Sequence, residues 1–275
     1  MRNYMKNLIT ILTMLTVVSC GRQNKNESVD TTFNFPIILQ PTTTDTIEYF
    51  KADFITHSWA RFAGKSKFCD TLKLSNRRDR DTTYKRDFID ERIVWSSDSL
   101  RTDGFELFSD YKSTVSRIGY DDRKGKYFYP VYVVNQTPTT KVFIGKDNYV
   151  FAIQEALDTN QNWRPIEGRG FDFCGNGDWG LKIHPKEFLT FLMPKYQGNY
   201  KTKIRVRIKI GDIIYVSNPF DGTIDEKQFY LDKKDNYYYR RLVENKANAI
   251  QHLFYGAEPL ETQDENFGLH AAWTE

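Results

Sequence analysis

The sequence predicts a mainly β protein whose core is an antiparallel β-sandwich, with a β-rich N-terminal part and a short C-terminal helix. Short apolar runs recur about every 8–12 residues between turn-forming residues, which is typical of sandwiches. Aromatic residues, which favour strands, make up 15% of the chain, with 17 Tyr and 20 Phe. One stretch, from Lys203 to Ile210, alternates without a slip between basic and β-branched residues. Together these observations predict sheets with a buried face.

The alternating stretch predicts an amphipathic hairpin. Because strand side chains point to opposite faces with a period of two, the apolar residues share one face and the basic residues share the other. The apolar set is Ile204, Val206, Ile208 and Ile210, and the basic set is Lys203, Arg205, Arg207 and Lys209. Gly211-Asp212 then precedes a second β-branched run, Ile213 to Val216. Glycine adopts a positive φ at no steric cost, so the dipeptide predicts a two-residue turn.

The first 19 residues have the pattern of a secretory signal peptide. Arg2 and Lys6 form a positive start, and an apolar, threonine-bearing core runs from Leu8 to Val18. As a helix these eleven residues would span about 16 Å, well short of the ~30 Å that a transmembrane segment crosses. We therefore expect residues 1–19 to be removed.

The junction Val17-Val18-Ser19-Cys20-Gly21 resembles the lipobox of bacterial lipoproteins. The resemblance implies that Cys20 carries a diacylglycerol thioether and becomes the acylated amino terminus, so that the membrane is a partner through the lipid anchor. Glycine rather than aspartate at position 21 implies the outer membrane of the cell envelope more than the inner one, with the leaflet left open. An ordinary signal peptide with an incidental cysteine is the alternative.

Net charge argues against a nucleic-acid partner. Removal of Arg2 and Lys6 with the signal leaves 37 of the 39 basic side chains against 36 acidic ones, a net charge of about +1. Phosphate neutralisation needs a clustered cationic excess. We therefore expect no nucleic-acid binding.

The mature chain divides into five predicted segments. These are a flexible tether (20–32), a β-rich region (33–125), an immunoglobulin-like sandwich (126–230), a helix (235–256) and a flexible tail (257–275). The boundary near residue 125 follows a polar, turn-forming run that starts at Asp121. The run Arg92 to Trp95 is predicted to be a strand. The helix is predicted to start at a cap by Asp235 and to end at Gly256.

Cys69 and Cys174 are the cysteines that remain once Cys20 is lipidated. Two cysteines in an exported chain suggest one disulfide, because the compartment is oxidising. We expect this bond to tie the N-terminal region to the sandwich.

The mature part resembles uncharacterised sandwich lipoproteins of Gram-negative envelopes. The resemblance is carried by Trp163-Arg-Pro-Ile-Glu167 and by Cys174-Gly-Asn176. It implies an immunoglobulin-like β-sandwich and no particular activity.

The sequence predicts no cofactor and no metal site. Gly64-Lys65-Ser66 lacks the earlier glycine of a phosphate-binding loop, since Trp59 stands there. The spacing of Asp158, Asn160 and Asn162 matches the start of an EF-hand calcium loop. The loop also needs a glycine and a glutamate further along, where this chain has Trp163 and Arg169. The four histidines have no paired spacing of the kind that holds zinc.

The basic stripe allows two interpretations; its residues are Lys201, Lys203, Arg205, Arg207 and Lys209. With Trp163 nearby they could hold an anionic polymer or lipid headgroups. Alternatively they are a solvated outer face, where basic side chains also deter pairing between sheet edges. The near-neutral charge of the whole chain favours the solvated face.

Glu155 and Glu167 are the candidate catalytic pair. A five-residue loop would set Glu155 opposite Pro165 and Ile153 opposite Glu167, so that both carboxylates share a face roughly 7–8 Å apart at Cα. Glycoside hydrolases use two carboxyls at such separations, and Trp163 would be a sugar platform. The alternative is that both glutamates form ion pairs on a wet face.

The preferred function is a membrane-anchored, non-catalytic binding or assembly module, with an envelope protein or glycan as its partner. The alternative is an envelope glycan hydrolase that uses Glu155 and Glu167.

Overall fold

The chain is mainly β, as the sequence predicted, with short helices that include two at the C-terminal end. The computed structural model describes residues 32–39, 47–58, 60–74, 86–96, 101–118, 125–170, 177–233, 237–264 and 267. The predicted signal peptide, Cys20, most of the tether, Asp235 and Cys174 lie outside the described residues. Within the described ranges, no helix is long and apolar enough to span a membrane.

The strands fall into an earlier and a later set. The earlier strands are β1 (Ile37–Leu39), β2 (Ile47–Glu48), β3 (Thr56–His57), β4 (Arg61–Lys67), β5 (Thr71–Lys73), β6 (Phe88–Ile89), β7 (Glu106–Ser109) and β8 (Val115–Ile118). The later strands are β9 (Gly125–Asn135), β10 (Lys141–Lys146), β11 (Ala152–Leu157), β12 (Trp163–Pro165), β13 (Glu167–Gly168), β14 (Asp178–Ile183), β15 (Glu187–Pro194), β16 (Tyr200–Ile210), β17 (Ile213–Val216) and β18 (Phe220–Ile224).

One sheet is built around the antiparallel pair β9 and β15. It has the order β2-β9-β15-β4, and β7 and β8 also pair with β9. Alternate residues of β9 enter two different cores: Tyr129 and Val131 enter one, and Phe128 and Tyr132 the other. This sheet is therefore covered on both faces, which explains why these strands read as nearly continuous apolar runs.

The second sheet contains the predicted hairpin. Its order is β12-β11-β16-β17, with β18 also paired to β16. Ile210 pairs with Ile213 across the turn, and Gly211 has a φ of +59°, so the two-residue turn is confirmed. Val206 and Ile208 pack in the same core as Tyr129 and Val131, which joins the two sheets. The buried apolar face of the hairpin is confirmed as well.

Three smaller pairings complete the described strands. β10, β14 and β6 form one antiparallel sheet, while β1 with β5 and β13 with β3 are parallel pairs. The sandwich prediction holds at the level of a mainly β fold with packed sheets. This strand order does not establish its immunoglobulin-like detail.

Arg92 to Trp95 are helical, so the predicted strand there is wrong. Helix α1 spans Glu91–Ser96 and packs on β14. Its first turn is closed by Asp90, whose carboxylate accepts from the amide of Arg92 at 3.0 Å. The Asp90 carbonyl also accepts from Val94 at 3.1 Å. An aspartate at an N-cap outweighs the β propensity of Ile93 and Val94.

The predicted C-terminal helix is two helices, α2 (Tyr237–Glu244) and α3 (Lys246–Leu253). Asn245 separates them, since its side chain accepts from the amide of Asn248 and so starts a new helix. The helix α3 ends at Leu253, and Gly256, with a φ of +82°, donates its amide to the carbonyl of Ile250 just after that end. Ile153 packs against both helices, which cover the outer face of the second sheet.

Strand pairing and burial continue across two of the predicted segment boundaries. Residues 33–275 form one compact unit, and β7 and β8 pair with β9, so position 125 does not separate two cores. The start of the predicted flexible tail is ordered: the 3₁₀ helix η2 (Leu260–Gln263) follows an earlier one, η1 (Glu226–Phe229), and buries Thr262. Leu260 packs against the apolar cluster that contains Phe229, and this contact holds the segment.

Candidate functional site

A groove of about 770 Å³ opens to solvent where β16 and β18 meet the end of β15. Its described lining is rich in tyrosine and lysine: Tyr49, Tyr111, Tyr196 and Tyr200, with Lys195, Lys201 and Lys203. The remaining lining residues are Leu157, Gln161, Gln197, Thr202, Asp221, Gly222 and Thr223. Its volume lies within the range of roughly 300–1,000 Å³ that small-ligand sites occupy. We define these residues as the tyrosine–lysine groove.

The tyrosine rings are held by other aromatic side chains. Tyr111 stacks on Phe220 with ring centroids 4.5 Å apart and an interplanar angle of 19°. Tyr49, which is 38% exposed, contacts Tyr127 with centroids 4.7 Å apart. Such packing restrains the rings before any ligand arrives, so less entropy is lost on binding.

Lys195 is a fixed cation in the wall of the groove. Its Nζ donates to the Tyr111 carbonyl at 2.8 Å and to the Thr114 hydroxyl at 2.9 Å, and it lies 4.5 Å from the centroid of the Tyr111 ring. Burial lowers the pKa of Lys195, while the nearby Asp110 opposes that shift. The amine therefore holds the Tyr111 segment against β15.

The other two lysines are more available. Lys203 is 48% exposed and forms an ion pair with the carboxylate of Asp221 at 2.7 Å. Lys201 is exposed and forms no ion pair with any residue that the structure describes. The described lining thus has three lysines against one aspartate, which makes the groove cationic.

Gly198 shapes the end of the groove between Gln197 and Tyr200. A Cβ at this position would lie 2.1 Å from the backbone carbon of Ile224, so only glycine allows β18 to approach this closely. The neighbouring Asn199 fixes the contact, because its side-chain oxygen accepts from the amide of Glu226 at 3.1 Å.

A buried polar network lies behind the groove wall. The hydroxyl of Tyr196 donates to Glu167 Oε1 at 2.8 Å, and the side-chain amide of Gln154 donates to the same oxygen at 3.0 Å. The backbone amide of Gln154 donates to Glu167 Oε2 at 2.9 Å, and the Tyr129 hydroxyl donates to the Gln154 side-chain oxygen at 2.8 Å. Burial raises the pKa of Glu167 to about 7, although hydrogen bonds from Tyr196, Gln154 and Ser58 oppose the shift.

The predicted basic stripe is largely paired with carboxylates. Glu155, only 1% exposed in its side chain, lies 2.7 Å from Arg205 Nε and 3.1 Å from an Arg207 amino nitrogen. The arginine side chains are 20% and 17% exposed, and Arg207 also donates to the Tyr255 carbonyl at 3.2 Å. Arg205 and Arg207 are therefore largely withdrawn from solvent: Arg207 contacts the C-terminal segment at Tyr255, and Arg205 lies against the Trp163 ring.

The rest of the stripe lies toward the two ends of β16. Lys203 belongs to the tyrosine–lysine groove, and Lys209 contacts the exposed Asp212 at 3.9 Å. The guanidinium of Arg205 lies over the ring of Trp163, 4.1 Å from the ring centroid. Trp163 thus packs on an ion pair and is not part of the groove lining.

Glu155 and Glu167 do not face a common cleft. The predicted register is confirmed as far as Glu155 opposite Pro165, but β12 ends at Pro165 and Glu167 pairs instead with Thr56 of β3. Glu167 bonds the side chain of Gln154, and consecutive strand residues point to opposite faces. The Glu155 carboxylate faces the arginines on the other side of β11, so the structure does not assemble the predicted acid–base pair.

A second polar cluster joins a hydroxyl, an imidazole and a carboxylate. The Thr140 hydroxyl lies 3.0 Å from His184 Nδ1, and His184 Nε2 lies 3.1 Å from Asp87. Burial alone would raise the pKa of Asp87, but hydrogen bonds from Lys65 and His184 outweigh it and lower the pKa. Lys65 also pairs with Glu187 at 2.7 Å, so the cluster braces β4, β6 and the β14–β15 turn.

The described part of the chain contains no disulfide and no cluster of histidine, cysteine, aspartate or glutamate side chains placed to hold a metal ion. Cys69 is half-buried, and burial raises the pKa of its thiol. Because Cys174 lies outside the described residues, its bond to Cys69 stays a prediction.

Comparison with known proteins adds no family assignment. No protein-family model matches the chain, and neither the curated proteins nor the solved structures include a significant match.

The sequence predictions included Lys201 and Lys203, both in the basic stripe, among the groove residues. Tyr49, Tyr111, Gln161 and Thr223 come from segments far apart in the chain, and no spacing rule joins them. One local signal was present: the linker Lys195 to Lys201 carries two lysines and two tyrosines around Gly198 and Asn199.

Proposed function

We propose that this chain is a lipid-anchored protein of the bacterial cell envelope that binds a ligand, without catalysis, in the tyrosine–lysine groove. One observation carries the proposal: aromatic rings and lysines from separate segments converge on one open cleft. Tyrosine offers a large contact area with little rotamer entropy to lose, and lysines add attraction for anions. Clefts with restrained rings and a few polar groups are the usual form of a binding site.

The membrane location rests on the N-terminal sequence. Cys20 after Val17-Val18-Ser19 is proposed to carry the lipid, and residues 20–32 to tether the folded unit to the membrane. Gly21 favours the outer membrane over the inner one. An immunoglobulin-like sandwich is proposed for the later strands on the resemblance given above.

The alternative of glycan hydrolysis by Glu155 and Glu167 receives no support from the site geometry. Their carboxylates lie on opposite faces of β11, and Glu155 is neutralised by two arginines. A hydrolase needs both carboxyls on one substrate.

Site-specific photo-crosslinking in the cells that make the protein tests the proposed function. A photoreactive residue replaces Gln197 in the groove, and a matched chain carries it at Gln251, an exposed glutamine of α3. We expect a discrete adduct from position 197 that position 251 does not give. The same adducts at both positions, or none at position 197, would contradict a ligand in the groove.

A further inference from the structure

We propose that the groove ligand is an acidic oligosaccharide, a chain of hydroxyl-bearing sugar rings that carries carboxylates. This inference rests on the proposed binding function and names the chemistry of its ligand.

The aromatic rings favour sugar rings as the ligand surface. The C–H groups of a pyranose ring pack on an aromatic face, and the phenol hydroxyl at its edge reaches the ring substituents. Tyr49 and Tyr200 both line the groove and are partly exposed, and Tyr111 is stacked on Phe220 and so held in place. Sugar rings in series would meet these side chains one after another.

Neutral polar side chains supply partners for sugar hydroxyls. Gln161, Gln197 and Thr223 line the groove, and among the described residues their side chains form no hydrogen bond. An amide offers both donors and an acceptor, and a hydroxyl offers one donor with acceptor lone pairs. These groups match hydroxyls, which also donate and accept.

The lysines select for negative charge on that ligand. Lys201 has no carboxylate partner among the described residues, and Lys203 has only the exposed Asp221. A ligand carboxylate can pair with Lys201 without displacing any protein group. Lysine acts here as a point charge, which suits the varied positions of carboxylates along a flexible chain.

An acidic peptide fits this groove less well. Extended peptides bind by adding a strand, which needs free backbone groups at a sheet edge. Over Tyr200–Lys203 and Asp221–Ile224, the facing edges of β16 and β18 are paired with each other, so no strand can be added between them. The Thr202 hydroxyl also caps the carbonyl of Leu157 at 2.7 Å, so the described groove wall offers mainly side chains.

Calorimetric titration of the full mature, lipidated chain in non-ionic micelles tests the inference. The probes are trigalacturonate as the acidic oligosaccharide, maltotriose as the neutral one and hexaglutamate as the acidic peptide. We expect trigalacturonate to bind at least about tenfold more tightly than either of the other two, and added salt to weaken it.

Matched variants locate the binding. Lys201→Gln should weaken trigalacturonate binding about three- to fivefold, the range for one exposed charge pair, while Lys73→Gln on β5 should not change it. Tyr49→Ala should weaken it about fivefold or more, unlike Tyr230→Ala, which removes an exposed ring outside the groove.

Three results would overturn the inference. Equal binding of maltotriose would remove the requirement for charge, and equal binding of hexaglutamate would remove the requirement for sugar. Failure of both oligosaccharides to bind would reject the ligand class. The proposed function itself would still stand if the photoreactive residue at Gln197 captures a ligand in cells, so the two failures are distinguishable.

Discussion

The hydroxyl of Tyr196 donates a hydrogen bond of 2.8 Å to the carboxylate of Glu167, and the same tyrosine forms part of the groove wall. A carboxyl buried in the core is therefore one hydrogen bond away from the candidate ligand site. Burial and the neighbouring Glu167 charge raise the pKa of Tyr196 well above its ordinary value, so the phenol stays the donor. The protonation state of Glu167 consequently affects both the stability of the core and the hydrogen bond that positions Tyr196 in the groove wall.

We predict that Glu167 makes stability fall as pH rises toward neutrality. Its pKa is about 7 in the folded chain against 4.5 for an ordinary glutamate, so the folded state holds the proton more tightly. The stability gained from that proton is complete below pH 4.5 and is lost as pH rises through 7, a change of about 3 kcal/mol. Glu167→Gln, which stays neutral, should remove this loss. Urea unfolding at a series of pH values measures the effect.

The difference between the wild-type and Glu167→Gln curves isolates this carboxyl. Burial lowers the pKa of His57, but any contribution of this imidazole to the pH dependence is present in both chains and cancels. Asp212→Asn, which removes a carboxylate at the exposed hairpin turn, is the control and should not remove the fall in stability. Parallel curves for the wild type and Glu167→Gln would show that folding does not shift the pKa of Glu167 and that the prediction is wrong.

We predict that Ile208 is a main stabilising residue of the hairpin. Its side chain is fully buried in the core shared by the two sheets, so Ile208→Ala should cost about 2–5 kcal/mol by removing methylenes and leaving a cavity. Ile214→Ala, at an exposed position of β17, should cost less than about 1 kcal/mol. Urea midpoints compare the two. Similar losses of stability in the two variants would show that the buried face of the hairpin is assigned wrongly.

Arg207 is also expected to be structurally important. It pairs with the buried Glu155, so Arg207→Ala would leave that carboxylate with Arg205 as its remaining described partner, at a cost of about 1–3 kcal/mol. Lys209→Ala, two residues further along the same face, should stay within about 0.5 kcal/mol, because the ion pair of Lys209 is long, at 3.9 Å, and its aspartate is exposed. If both variants unfold at the same urea concentration, the Glu155 pair does not stabilise the fold.

The strength of the period-two signal explains what could be predicted from the sequence. Ile204 to Ile210 were placed correctly because alternation identifies a buried face without any knowledge of the partner strand. The strand predicted at Arg92 to Trp95 failed because a single capping group, Asp90, decides between helix and strand over so short a run. The β propensity of the residues within the run does not take account of a capping side chain that precedes it.

The site was harder to predict because its residues meet only through tertiary contacts. Glu167 was expected beside Glu155, but β12 ends at Pro165 and the chain moves to β3, which turns the carboxylate into the core. The groove combines segments from Tyr49 to Thr223, so it appears only after the sheets are assembled. The β11–β12 register ends at Pro165, so extending it to Glu167 gave the wrong neighbour for that residue.

The lipid anchor makes a separate prediction for cell fractionation. If Cys20 carries the lipid, the Cys20→Ser chain should leave the membrane fraction, because thioether attachment needs the thiol. Cys69→Ser is the matched control and should remain with the membrane. Recovery of Cys20→Ser protein in the membrane fraction at the wild-type level would contradict the anchor.

Lysine reactivity measured in intact cells tests the occupied groove most directly. Brief acetylation followed by mass spectrometry compares Lys201 and Lys203 in the cell envelope with the same lysines in the purified, lipidated chain, with the exposed Lys73 as internal reference. A ligand in the groove predicts that Lys201 and Lys203 react several-fold more slowly in cells, relative to Lys73, and recover when the chain is purified. Equal relative reactivity of the three lysines in cells and in purified protein would contradict a bound ligand at this site.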